Sequence, residues 1–332
     1  MQYVEISVLM SCHNADRWLR EAIDSVLAQT FEDYEFMIVD DGSTDETWKI
    51  IQSYRDRDER IVAISKNNTG LADSLNVGIA HARGKWIARL DADDLCETKR
   101  LEEQMNFVRK HADVILLGTG FLEIDENSRV IKRHIYPTNH QVLLRHLERL
   151  QRFFPHSSAF YRSDTARQVG GYNKRFHRAQ DRRLWLEMSM RGQIACLPIP
   201  LVRNRKHTAQ ISNDDRGRRQ LFYGSLATIC HFMQKAGYKD PSVNGSENEW
   251  NEFLSWVEKR IQESGVFERR SNWANARALY FAAGNKLAGA FSFGTALLQS
   301  GYANALIRER FFGSCLPQRL AWEWIERSHP TL

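Results

Sequence analysis

The 332-residue chain has five cysteines, Cys12, Cys96, Cys196, Cys230 and Cys315, and no C-x-x-C pair among them. Their scatter excludes a zinc framework and a disulfide scaffold and fits a reducing compartment. Long apolar runs are also missing. The most apolar stretch, residues 278–298, is interrupted by Asn285-Lys286, and each piece falls short of the roughly 20 residues a membrane span needs. The start, Met1-Gln-Tyr-Val-Glu, carries no basic n-region, and residues 6–10 are too few for a signal-peptide core, so a cytoplasmic protein is expected. There is no internal repeat, no low-complexity linker and no G-x-S-x-G elbow for a nucleophilic serine. Gly118-Thr119-Gly120 imitates a dinucleotide fingerprint, but it lacks the third glycine and the helix that would receive a pyrophosphate, so hydride transfer is poorly supported.

What is present is ordinary globular usage, with 42% apolar and 26% charged residues, enough for about two domains. The net charge of +5 is unevenly spread: residues 1–202 hold 28 Lys and Arg against 29 Asp and Glu, residues 203–332 hold 18 against 12. Apolar strands at residues 6–10, 36–39, 61–65, 86–90 and 114–117 alternate with helical stretches at 16–29, 71–81 and 99–110. A further helix is announced by Ser43-Thr44-Asp45-Glu46, which has the form of a capping box. This alternation predicts an α/β domain built on a parallel sheet. Beyond it the pattern weakens to an antiparallel pair within 121–136, a strand at 158–161, a short helix before Gly170-Gly171, and a helix at 184–191. From about residue 216 the pattern is helical only, with Trp250, Leu254, Val257 and Ile261 on one stripe. The expected domains are 1–215, with halves of about 1–118 and 119–215, and an all-helical 216–332.

Acidic loops follow two of the expected strands, Asp40-Asp41 after the second and Asp91-Ala92-Asp93-Asp94 after the fourth, beside Ser11-Cys12-His13-Asn14 after the first. In open α/β sheets that carboxyl edge binds ligands. Unpaired carboxylates gathered there call for a cation, and Mg²⁺ or Mn²⁺ bound through carboxylate and substrate phosphate is the economical choice.

The blocks "ISVLMSCHN", "VDDGSTDETW", "NTGLADSLNVGIAHARGKWIARLDADD" and "QDRRLWLEMSMRG" resemble, in order and spacing, the signature blocks of family 2 inverting glycosyltransferases of the GT-A fold, over about residues 4–212. The resemblance implies transfer of a hexose or N-acetylhexosamine from a UDP-sugar, with inversion, to a hydroxyl of a saccharide or lipid-linked acceptor, as in lipopolysaccharide, lipooligosaccharide or capsule synthesis. Carried over by position, Ser11, His13 and Asn14 line the nucleotide pocket, Asp41 meets the uracil, and Asp91 and Ala92 lie on the ribose side of the donor. Asp93 then holds Mn²⁺ or Mg²⁺, and Asp181 is the general base. His207 in "NRKHTAQIS", with Lys206 and Arg205, approaches the diphosphate. His156, Gln180, Arg178 and Arg182 fall on the acceptor side, and the cluster Lys174, Arg175, Arg178, Arg182, Arg183 suggests an anionic acceptor. Two departures stand out: Gln180 replaces a usual Glu, and Leu75 replaces an Arg frequent in relatives. The alternatives are a catalytically silent nucleotide-sugar-binding module and a sugar nucleotidyltransferase, the latter lacking its glycine-rich loop. Nucleic acid is not an expected partner. The basic C-terminal part, with Trp250, Phe253 and Trp256, suggests peripheral attachment to an anionic membrane at its inner face.

Overall fold

The computed structural model describes residues 4–207, 217–265 and 315–329. The chain divides into two compact units, Met1–Asp214 and Asp215–Leu332. In the first, β1 (Ile6–Cys12), β2 (Tyr34–Asp40), β3 (Ile61–Ser65) and β4 (Trp86–Arg89) run parallel in the order β3-β2-β1-β4. Every residue of β1, β2 and β4 is buried, as parallel strands covered on both faces must be. The crossovers are α1 (Leu19–Leu27), α2 (Thr47–Arg55) and α3 (Leu71–His81). Leu19, Ile23 and Val26 give α1 its buried face.

The expected capping box does not form. Ser43 Oγ bonds the Asp40 carboxylate and accepts the Asn14 N–H at 2.9 Å, and Asp45 instead accepts the Thr47 N–H at 3.0 Å as α2 begins. A local motif has lost its hydroxyl to the strand-end carboxylate beside it.

Past β4 the sheet becomes mixed. β5 (Leu95–Cys96), α4 (Arg100–Lys110) and β6 (Val114–Ile124) are followed by β7 (Val130–His134), α5 (His140–Glu148), β8 (Phe160–Arg162), α6 (Ser163–Gln168), α7 (Gln180–Ser189) and β9 (Gln193–Arg205). β8 lies antiparallel between β4 and β6, β9 lies parallel to β6, and β7 pairs antiparallel with β6 alone. The strand expected at 114–117 continues to Ile124, so residue 118 lies in mid-strand. The strand expected at 158–161 starts at Phe160, after a 3-10 turn over His156–Ser158.

In the second unit, α8 (Arg218–Lys235), α9 (Pro241–Asn244), α10 (Glu247–Glu263) and α11 (Leu316–Ser328) are described. The buried stripe of α10 is Trp250, Phe253, Val257 and Ile261, with Phe253 where Leu254 was expected. Phe253 and Trp256 pack on Trp324 with ring centroids 4.9 and 5.1 Å apart, so Trp250, Phe253 and Trp256 serve a helical core and not a lipid-facing stripe. Residues 278–298 lie outside the described residues. No described helix is long and apolar enough to cross a membrane.

Candidate active site

The carboxyl ends of β1, β2 and β4 converge on two acidic loops, and neither is unpaired as the sequence suggested. Asp41 accepts hydrogen bonds from Thr69 N–H (3.0 Å) and Gly70 N–H (2.9 Å) and an ion pair from Lys66. Burial alone would raise its carboxyl, but the bonds from Lys66, Thr69, Ser74 and Gly70 outweigh it and hold the group below the ordinary range. The loop thus clamped packs against Gly42 at φ 71°, where a Cβ would meet Asn68 N at 2.7 Å; only glycine fits both demands. Asn14, itself left-handed at φ 49°, accepts the Thr44 N–H at 2.8 Å, and His13 Nδ1 lies 3.0 Å from the Asp41 carbonyl.

The second loop is a buried charge cluster. Arg89, fully buried at the end of β4, ion-pairs with Asp91. Asp91 and Asp94 both contact Ser157 Oγ, and Asp94 also accepts from Asn204 Nδ2 and Arg205 N–H at 2.8 Å each. A hydroxyl has one proton to give, so Ser157 can donate to only one of the two carboxyls at a time. Burial first, then Asp93 and Asp91, push Asp94 well above the usual range. Asp93 is raised by burial and by Asp91, and its Oδ2 lies 2.8 Å from His207 Nε2. Asp91 is held low because Arg89 and His156 outweigh its burial. Ala92 turns into the core.

Arg205, expected near a diphosphate, is fully buried and builds the loop from beneath. Its guanidinium donates to the Asp93 carbonyl (2.9 Å), the Glu126 carbonyl (3.2 Å), Ser128 Oγ (3.0 Å) and Glu21 (3.0 Å). Trp18 contacts both Arg205, whose guanidinium carbon is 5.4 Å from its ring, and the His207 ring at 4.4 Å.

On the far side of the loop, Ala179 in a left-handed conformation, φ 53°, turns the chain into α7. Asp181 and Gln180 therefore fall in the first helical turn, four residues ahead of the expected helix start. His156 contacts Tyr172 Oη at 2.7 Å and feels both Asp181 and Asp91. The basic cluster is largely committed elsewhere: Lys174 pairs with Asp73, Arg183 with Glu187, and Arg182 donates to the carbonyls of Leu147 and Gln151 at the end of α5. Arg178 donates to the His177 carbonyl at 2.9 Å. The inference of an anionic acceptor loses Lys174, Arg182 and Arg183 accordingly. Leu75, the position of the missing Arg, is buried.

The family profile described as "Glycosyl transferase family 2" matches residues 7–170. WbnJ of Escherichia coli, an O-antigen biosynthesis glycosyltransferase, is 32% identical over 184 residues, covering 55% of this chain and 71% of that one. The chain belongs to glycosyl transferase family 2. EpsE of Bacillus subtilis is 36% identical over 196 residues, 57% of this chain and 68% of that one. Among solved structures, S. aureus TarS 1-349 in complex with UDP-GlcNAc aligns over 69% of this chain and 66% of that chain, with TM-score 0.57 and 18% identity. The mannosyltransferase PcManGT from Pyrobaculum calidifontis, in complex with GDP-Man and Mn2+, has TM-score 0.53 at 18% identity, over 92% of this chain and 81% of that one. The family 2 fold here is GT-A, with C-terminal helices added.

Four residues of this family 2 site escaped the sequence reading: Arg89, Ser157, Tyr172 and Asn204. Arg89 alone left a signal, a cation inside the apolar run Trp-Ile-Ala-Arg-Leu two residues before a carboxylate. Burial, then Arg89, lowers His156 to about 4, so it is neutral near pH 7. The unfolded chain binds a proton between about pH 6.5 and 4 that the folded chain refuses. The stability this His contributes is therefore present above pH 6.5 and lost as pH falls through that window. The melting temperature is expected to drop on acidification from 6.5 to 4 more steeply in the wild type than in His156→Gln; equal slopes would place the titration elsewhere.

Proposed function

We propose that the chain transfers a hexose or N-acetylhexosamine from a UDP-sugar, with inversion, to a hydroxyl of a saccharide or lipid-linked acceptor in surface polysaccharide synthesis at the cytoplasmic side. The observation that carries this reading is the buried acidic loop after β4, with Asp93 against His207 on one side and, through His156, Asp181 on the other. Relatives named for O-antigen and amylovoran biosynthesis support the pathway class, and the TarS complex with UDP-GlcNAc supports the donor class.

The residues fit a divalent cation. Asp93 and Asp94 are both pushed toward protonation by burial and by neighbouring carboxylates, a stress that a positive ion relieves. Among the described residues no group of three or more His, Cys, Asp or Glu can hold a metal unaided, so Asp93, beside His207, would share Mn²⁺ or Mg²⁺ with donor phosphates. Such an ion neutralises charge growing on the departing diphosphate. Ser11, His13 and Asn14 flank the nucleoside end, Asp41 orders the loop facing it, and Asp91 with the Ala92 backbone borders the ribose. Asp181 takes the proton of the acceptor hydroxyl as its oxygen attacks the anomeric carbon opposite the leaving group. Gln180 and Arg178 adjoin that approach.

The test is nucleotide release from a panel of UDP- and GDP-sugars with Mn²⁺ present. Excess EDTA and Asp93→Ala are each expected to lower release by on the order of 10²–10³-fold, the several kcal/mol of Lewis-acid assistance, with the fold retained by circular dichroism. Full activity in EDTA removes Asp93 from this role. Donor binding without release from any sugar favours the silent module.

A further inference from the structure

Six large apolar side chains are strongly exposed among the described residues, and three of them, Val130 (56%), Ile131 (57%) and Ile135 (44%), fall within six consecutive positions on and just after β7. The same segment carries Arg129, Lys132 and Arg133, all exposed, and residues 127–139 contain no acidic residue. The carboxylates nearest this ribbon are engaged. Glu123, across from Lys132, is held by His134 Nε2 at 2.9 Å. Asp125 accepts the Asn127 and Arg129 N–H groups at 2.9 Å each, and Glu126 pairs with Arg17 at 2.7 Å. The three cations form no ion pair among the described residues.

We propose that this β7 ribbon docks the protein on an anionic lipid surface. Directly opposed residues of a ladder share a face, and β7 carries one residue more than β6 at the shift between Glu123 and Ile124, so Val130 and Arg133, opposite Ile124 and Leu122, share one face and Lys132, opposite Glu123, lies on the other. Cations therefore stand on both faces of the ribbon, with Val130 beside Arg133 and the exposed Ile131 at the bulge next to Lys132. A protein groove would ask for one apolar face free of charge, whereas a ribbon with cations on both faces and exposed aliphatics between them matches a headgroup layer, with aliphatics below and phosphates around it. Pairing with a second copy along this edge is opposed by Lys132 and Arg133, the charges that keep edge strands apart. Position adds a functional argument. The turn at residues 125–128 is bonded by Arg205, which also bonds the Asp93 carbonyl, so a surface that holds the ribbon holds the acidic loop at a fixed height above the bilayer. That last step rests on the lipid-linked acceptor of the proposed function; the docking itself does not.

Flotation of the full chain with vesicles of phosphatidylcholine, with and without 30% (about one lipid in three) phosphatidylglycerol, tests it without any sugar substrate. Binding is expected only to the anionic vesicles and is expected to weaken with salt. Arg129→Ala, Lys132→Ala and Arg133→Ala should each weaken it by about fivefold, and the triple variant by on the order of 100-fold. Val130→Ser with Ile131→Ser should weaken it at every salt concentration. All these side chains are exposed, so nucleotide release should be unchanged, and that assay separates failure of docking from failure of the transferase reading. Absence of binding at low salt overturns the proposal. So does a triple variant that binds like the wild type, which would hand the contact to another basic region. A ribbon variant that alters oligomeric state and leaves vesicle binding untouched would make the edge a self-association site and equally overturn it.

Discussion

Asp181→Asn is expected to leave donor affinity within about twofold and to lower sugar transfer by about 10²–10⁴-fold, the range of lost general-base catalysis. The substitution keeps the side chain's size and its capacity to accept the Arg182 N–H, which reaches Oδ1 at 2.7 Å. What it removes is the second carboxylate oxygen as a proton acceptor. Asp181 is partly exposed in the first turn of α7, so the exchange demands no repacking, and a folded, donor-binding, slow enzyme is the predicted phenotype. Calorimetric titration with UDP reads the first half of the claim and product formation the second. Transfer near the wild-type rate would assign the base to another carboxylate.

Arg89→Met is expected to cost about 3 kcal/mol, the low end for breaking a buried pair, because the Asp91 side chain keeps 34% exposure. For a unit of this size that corresponds to roughly 6–12 °C in melting temperature. The loss arises because Asp91, Asp93 and Asp94 crowd one loop and Arg89 is the buried cation beneath Asp91. Two of its guanidinium nitrogens, Nε and Nη1, are buried with no hydrogen-bond partner, so the residue is itself costly to bury and is retained for its charge. The double variant Arg89→Met with Asp91→Asn should regain most of the lost stability, since replacing both partners removes the uncompensated charge. A double variant no more stable than the single one would mean that shape, and not charge, is what Arg89 supplies.

The strands up to β4 were legible as short, continuous apolar runs, of which β1, β2 and β4 are buried on both faces, and α1 as a stretch between β1 and β2 with apolar residues at helical spacing. β9 was not, since Pro198 and Pro200 argue against an interior strand. The sheet absorbs them at register shifts between Thr119 and Phe121, where β9 carries extra residues against β6. α5 was overlooked although Asn139 caps it and Leu143 and Leu147 share its buried face. At the site, the acidic loops could be read from sequence, but their pairing could not. The groups that neutralise them come from far along the chain, Ser157 and Asn204 lying 66 and 110 residues from their carboxylate partners Asp91 and Asp94. Arg205 and Arg182 show the reverse error: a run of cations looked like a ligand surface and proved to be scaffolding for carbonyls.

β6 runs unbroken through residue 118, and β8 is inserted between β4 and β6. The two expected halves, 1–118 and 119–215, are thus cut from one piece of sheet and do not form two modules joined by a seam. Swapping acceptor halves between relatives at that point would sever a central strand and strip β4 of its neighbour. Exchange confined to the segments between β7 and β8, or between β8 and α7, would leave every ladder of the sheet whole. Under the proposed acceptor role of this part of the chain, those connecting segments can be rewritten with the framework strands left intact.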